Sequence, residues 1–284
     1  MKLSLALPTP LEYFSALVGS DADFPLLEAA ISLAQDDYPE LDVQQVLGEI
    51  DQLLARLKRR VPADASALHK LRALNQLFFR DLGFRGNVNN YYDPDNSFIS
   101  VVLRTRCAIP VALAVLWLEL AQGLGLQARG VSFPGHFMLK VNLPKGQVVI
   151  DPLDGQSLGR EQLAERLEPF RRRSGLVDEF DVPLGLYLQP APARDIVARM
   201  LRNLQEIHRT QKDWSRLLAV QDRLIVLLPQ SWADYRDRGL AHARLGHAAP
   251  AQADLERYLA HESDAPDQDA IALQLAQLRG TRSA

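Results

Sequence analysis

The sequence predicts an α+β protein: a helical layer first, a small antiparallel sheet in the middle, and a block of helical repeats after it. Three observations predict this. Apolar residues recur at helical spacing over residues 11–81, short strand-like segments cluster between 126 and 151, and the C-terminal block matches itself at a fixed offset.

In the first layer, Leu26, Leu27, Ala30 and Leu33 form one apolar stripe, and Val46, Ile50, Leu53, Leu54 and Leu57 form the next. "DADFP" and "YPELD" supply the caps and breaks between them. A third helix, expected from about Ala65 to Leu82, carries Leu68, Leu71, Leu74, Leu77 and Phe78. "GFRGNVNNYYDPDNSF", residues 83–98, has two glycines, four asparagines and an Asp-Pro pair, which is turn chemistry. From Ile109 to Leu120 the chain is apolar on nearly every side, as a buried central helix requires, with Pro110 in its first turn where the missing N–H is no loss. "LQARGVSF", "HFMLKVN" and "QVVID" read as short strands, the last two joined by "LPKG" with proline at the second turn position.

From about 159 onward the pattern is helical again, interrupted by "FRRRSGLVDEFDVPLGLYLQPAPARD", rich in Pro, Gly and charge. Domains are therefore expected at 1–185 and 194–284. Setting "AVQDRLIVLLP" from Ala219 against "ADLERYLAHES" from Ala253 aligns small, acidic, basic and apolar positions 34 residues apart, the tetratricopeptide period. Gly239, Ala251 and Leu255 fall where that repeat wants small, small and large residues. Trp117 reads as core, and Trp214 and Trp232 as repeat packing.

Composition narrows the function classes. With 284 residues, 47% hydrophobic and 24% charged, the chain can bury a substantial core. A net charge of -3 gives no case for nucleic acid, and Lys58, Arg59, Arg60 and the run Arg171, Arg172, Arg173 read as solvated faces. The opening "MKLSLALPTPLEYF" lacks the pattern of a secretory leader, and the Ile109 run is too short for a bilayer, so neither secretion nor a membrane is expected. One cysteine makes no internal disulfide, and the histidines lack metal-site spacing. No metal or cofactor is expected, and a reducing, cytoplasmic setting is.

That cysteine, Cys107, lies just ahead of the central helix, where unpaired N–H groups and the helix dipole favour a thiolate. If Leu143 and Gly146 close a four-residue turn, paired positions sum to 289, so Met138 faces Asp151 and His136 lies two residues along on the same face. Cys107, His136 and Asp151 then form the set of nucleophile, base and orienting acid, with Asp154 as rival for the acid. Each also has a structural reading: buried small residue, strand-edge filler, turn former. Asn90, Tyr91, Tyr92 and Asp93 are candidates for lining the cleft or for hydrogen bonds that hold their own loop.

The order Cys, His, Asp resembles the transglutaminase-like branch of the papain-type cysteine enzymes. More closely, "NNYYDPDNSFISVVLRTRCAIPVALAVLWLELAQGLGL", "GVSFPGHFMLKV" and "VVIDPLDG" resemble the SirB-type invasion-regulator family, which implies a transglutaminase-like domain followed by tetratricopeptide helices. In that family the stretch before the Ile-Pro pair is often without cysteine, so the thiol is an occasional feature on a retired or repurposed fold. The resemblance implies two functions. One is an interaction or regulatory scaffold whose repeats bind a protein or peptide. The alternative is a cysteine-dependent acyl-transfer enzyme in which Cys107 attacks an amide, His136 shuttles the proton and Asp151 orients the ring.

Overall fold

A computed structural model describes residues 8–87, 90, 92–173 and 183–280. Much of the sequence-predicted linker, residues 174–182, lies outside the described residues. The described chain forms two compact units, one spanning 25–200 and the other combining residues of 201–284 with those before 25.

Helix α1 (Pro10–Leu17) opens on a capping box in which Thr9 and Glu12 satisfy each other's end groups. It belongs with the repeats: Phe14 is fully buried, and α1 packs on α10 (Trp214–Leu227). Packing thus groups the first helix with the end of the chain.

The unit of residues 25–200 begins with α2 (Leu26–Ser32), α3 (Val43–Lys58) and α4 (Ala67–Asn75), the last two capped by Asp42 and Ser66. The helix expected to reach Leu82 stays α-helical only to Asn75 and widens into a π-helical turn over Gln76–Asp81. There Phe78 stacks on Phe84 at 4.3 Å, and Gly83 (φ 71) ends the turn. Strand β1 (Arg85–Gly86) pairs in parallel with β2 (Cys107–Ala108), which follows α5 (Ile99–Thr105). Helix α6 (Pro110–Gly123) is the centre: Val111 to Leu118 are all buried, and Trp117 donates its indole N–H to Asn75 Oδ1 at 2.9 Å. It packs on α2, α3 and α4 and on the strands β3 (Gln127–Val131) and β4 (Met138–Leu143).

The sheet continues through β5 (Gly146–Ile150) and β6 (Ser157–Leu158) in the order β3-β4-β5-β6, antiparallel throughout. Leu143 pairs with Gly146 and Leu139 with Ile150, so the register follows the sum of 289. Helix α7 (Arg160–Arg173) covers the sheet with Leu163 and Leu167, and α8 (Leu184–Tyr187) joins the same cluster.

In the other unit, α9 (Ala193–Gln211) enters from the preceding residues and is followed by α10, α11 (Trp232–Arg244), α12 (Ala248–His261) and α13 (Gln268–Gly280). Helices α10 and α12 start and end 34 residues apart. A Cβ on Gly239 would sit 2.8 Å from Leu255, so this close crossing of α11 and α12 requires glycine.

Candidate functional site

Phe133 to His136 form a tight turn with Pro134 second and Gly135 third at φ 72, closed by the His136 N–H donating to the Phe133 carbonyl at 3.0 Å. This is type II chemistry, in which proline presets the second residue and glycine accepts the positive φ. The turn delivers His136 to the head of β4. Across the hairpin, Asp151 directly follows β5 and begins a second turn, with Gly155 N–H donating to its carbonyl at 2.9 Å. Gly155 is at φ 78, and a side chain there would collide with the Phe79 ring, so nothing larger fits this turn.

The two side chains meet as the pairing predicts: His136 Nε2 lies 2.9 Å from Asp151 Oδ1. An ionised carboxylate only accepts, so Nε2 carries the proton and Nδ1 is left as the basic nitrogen. The Leu153 N–H donates to Asp151 Oδ1 at 3.0 Å, and Arg166 donates to Oδ2 at 2.7 Å. Burial by itself favours the neutral acid. Hydrogen bonding and charge from His136, the Leu153 N–H and Arg166 outweigh it and hold Asp151 down at about 2.

Cys107 lies just ahead of the central helix, in an extended segment. It lies in β2, ahead of Ile109, which is the N-cap of α6, because Ile109 is extended and gives its N–H to the Asn96 carbonyl at 3.1 Å. The thiol is therefore not on the helix start itself. Its backbone is clamped by the Thr105 hydroxyl, which accepts from Cys107 N–H at 3.4 Å and lies 3.3 Å from its carbonyl. Among the described residues the half-buried sulfur makes no hydrogen bond.

Strand β1 ties the thiol segment to the acid turn. Arg85 pairs with Cys107, while the Gly86 N–H donates to the Leu153 carbonyl at 3.1 Å. A Cβ on Gly86 would lie 2.6 Å from Leu153 Cδ2, so a larger residue here would have to displace the Leu153 side chain.

The loop candidates divide. Asn90 donates to Asp93 Oδ2 at 2.9 Å, and Asp93 in turn accepts from the Asp95 N–H at 3.0 Å, so both serve their own loop. Tyr92 is exposed, and Tyr91 lies outside the described residues. Asp154, the rival acid, accepts from the Gln156 N–H at 2.8 Å.

Two partners escaped the sequence reading. Arg166 comes from a polar helix with nothing local to distinguish it. Asn96, nearly fully buried, accepts from Asn87 Nδ2 at 2.9 Å and donates to the Asn90 carbonyl at 2.5 Å, holding the loop to the entry of α6. Its signal was its place in a turn-rich run directly before a helix.

Among the described residues no group of three or more His, Cys, Asp or Glu side chains gathers as a metal site, and no helix is long and apolar enough to cross a membrane.

Comparison with known proteins agrees with this architecture. Residues 44–202 match the family described as the transglutaminase-like superfamily, and residues 204–276 match a tetratricopeptide repeat family. The chain is 38% identical over 240 residues to a UPF0162 protein of Xylella fastidiosa strain 9a5c, covering 84% of each chain. It is 28% identical over 253 residues to a UPF0162 protein of Pseudomonas aeruginosa, covering 89% of this chain and 90% of the other. With UPF0162 protein YchA of Escherichia coli K12 it shares 25% identity over 252 residues, 88% and 91% of the two chains. No solved structure matches the chain. A hairpin that joins His136 to Asp151, the central helix behind Cys107, the repeats that follow and relatives spanning most of the length lead to one assignment: the chain belongs to the transglutaminase-like superfamily, as a UPF0162 protein of the SirB type.

Proposed function

We propose that the protein is an interaction scaffold with a regulatory role: its repeats hold an extended segment of a partner protein, and its transglutaminase-like domain is a fold on which catalysis has lapsed. The observation that supports this most is a groove of about 590 Å³ among α9, α10, α11 and α13. On its wall Gln221 is 0% exposed, and neither its amide nitrogen nor its oxygen has a hydrogen-bond partner among the described residues. An unsatisfied buried polar group costs about 1–3 kcal/mol, and a peptide main chain offers the donor and acceptor that would relieve it once the Gln221 side chain turns into the groove. Trp214, with the Arg244 guanidinium 5.7 Å from its ring, adds an aromatic and cationic rim. A lone cysteine fits a reducing setting such as the cytoplasm.

The test is to pan a random peptide display library on the full chain and measure enriched peptides in solution. Gln221→Leu should fold at least as well as wild type, since it removes an unpaired amide, yet weaken those peptides by about tenfold or more. Cys107→Ala should leave them unchanged. Absence of enrichment, or equal binding by Gln221→Leu, overturns the reading.

A second reading, acyl transfer by Cys107, has its own support: the His136–Asp151 pair leaves Nδ1 free to act as base, and β1 ties the thiol segment to the acid turn.

A further inference from the structure

Helix α3 ends in basic residues, and the turn after α5 brings a third arginine to them. Arg56, Arg59 and Arg106 line a cavity of about 480 Å³ together with Glu49, Gln52 and Leu103. Neighbouring Arg60 is turned to Asp81. Among the described residues neither Arg56 nor Arg59 makes an ion pair. Among the residues lining the cavity three guanidiniums therefore face one carboxylate, Glu49, while Asp81, paired to Arg60, also feels the charge of Arg56.

Arg106 is the unusual member, for two independent reasons. It ends α5 at φ 62 and ψ 13, the left-handed region, where a side chain costs about 1–2 kcal/mol and glycine or asparagine is the ordinary choice. Stopping a helix does not call for arginine. Its guanidinium carbon lies over the Phe84 ring, 4.6 Å from the centroid, and its Nη1 is buried with no hydrogen bond among the described residues. Burial pulls its pKa below the ordinary arginine value, with the charge of Glu49 opposing. A partly desolvated cation, fixed in place at a conformational cost and lacking a bonded counter-ion, is half of an ion-binding site.

We propose that this cavity binds a phosphate group, with Arg106 as the pre-placed planar fork on its wall and Arg56 and Arg59 closing on the anion from α3. Guanidinium groups match phosphate oxygens in paired hydrogen bonds, and a phosphate monoester carries about -1.5 to -2 charges near pH 7, which complements the surplus of cations here. The volume exceeds what inorganic phosphate fills and leaves room for a small organic portion. The site involves neither the His136–Asp151 pair nor the repeat groove, so it stands whichever function holds.

Isothermal titration of the full chain, at ionic strength fixed with sodium chloride, would use inorganic phosphate, glycerol 3-phosphate and acetate. The expected result is saturable one-to-one binding of the phosphate probes and none of acetate. Tighter binding of glycerol 3-phosphate identifies an organic phosphate as the ligand, and equal binding identifies free phosphate. Arg106→Gly adopts the left-handed turn without strain, so it should keep the wild-type circular dichroism while weakening phosphate by about tenfold or more. The double variant Arg56→Ala/Arg59→Ala, on an exposed helix face, should do the same and serves if the turn variant misfolds. Failure of both probes to bind above the chloride background, or undiminished binding in a folded variant, overturns the proposal.

Discussion

In the unit of residues 25–200 the central helix buries Leu113, Leu116, Trp117 and Leu118 against other helices and one face of a sheet, and its buried polar groups gather in a few places. Across the repeats the helices meet through charge. Arg202 Nη2 donates to Asp234 Oδ2 at 2.7 Å from α9 to α11, and Gln205 donates to Asp237 at 3.0 Å over the same separation of 32 residues. Arg238 forks onto Asp254 at 2.7 and 2.8 Å and reaches Asp222 at 2.8 Å, joining α11 to both neighbours. A buried charge in the repeats is therefore periodic and structural, whereas a buried charge in the other unit marks a place worth explaining. Asp151, and the buried Nη1 of the partly buried Arg106, stand out against an apolar background, and Asp234 does not. In the repeats the informative residue is the opposite kind: Gln221, buried and left out of the lattice.

The largest expected effect tests the apolar side of this contrast. Trp117→Ala removes the largest fully buried side chain and leaves Asn75 without its donor, so it should cost about 3–5 kcal/mol in urea unfolding. Hydrogen exchange should show the loss in residues 25–200. A cost below about 1 kcal/mol would mean that α6 does not centre that core.

Next is the charged side. Asp234 is fully buried while Arg202 is partly exposed, so Asp234→Ala leaves a cation that water can reach, and the loss should be about 2–4 kcal/mol. Replacing both, as Arg202→Met with Asp234→Leu, should recover most of it, because an apolar pair avoids desolvation. If the double variant is no better than the single one, the pair is specifying geometry rather than neutralising charge.

A smaller effect separates the units by pH. The folded Asp151 is held at about 2, below the ordinary aspartate value of 3.8, so its charge stabilises the fold above the unfolded pKa. That contribution, about 2 kcal/mol, is lost as pH falls from near 4 toward 2. Asp151→Asn should flatten this part of the acid unfolding curve. Equal acid sensitivity in the variant would place the effect in other carboxylates, such as those of the repeats.

How far the sequence foretold these features follows from the range of each interaction. The β4–β5 register was legible because Pro144 and Gly146 fix a turn and pairing parity does the rest. The Gly239–Leu255 crossing was legible because repeats copy their packing. Arg166, Arg106 and Gln221 were not, since each acquires its meaning from what another element places beside it. The extended conformation at Cys107 was not legible for the same reason: the helical run predicts where α6 can begin, but Asn96 and β1 decide that residues 107–109 are extended.

The smallest effect on stability carries the largest consequence for function. Cys107 is half-buried, its sulfur bonds to nothing among the described residues, and Cys107→Ala should change stability by less than about 1 kcal/mol. Its alkylation by iodoacetamide is the sharper measurement. An ordinary thiol, with pKa about 8.5, is about 1% thiolate at pH 6.5, and its rate falls roughly tenfold for each pH unit below 8. On the scaffold reading Cys107 should follow that slope, slowed by its partial burial, and His136→Ala should match wild type within about twofold because the ring exerts no hold on the sulfur. On the acyl-transfer reading His136, oriented through Nε2 by Asp151, would present Nδ1 to the thiol and keep the wild-type rate high at pH 6.5. His136→Ala would then abolish that excess, and Asp151→Asn would reduce it by loosening the ring. A rate that stays high near pH 6.5 and collapses in both variants would therefore transfer the function from the repeats to the hairpin, and would show that the apolar unit spends its few buried charges on chemistry.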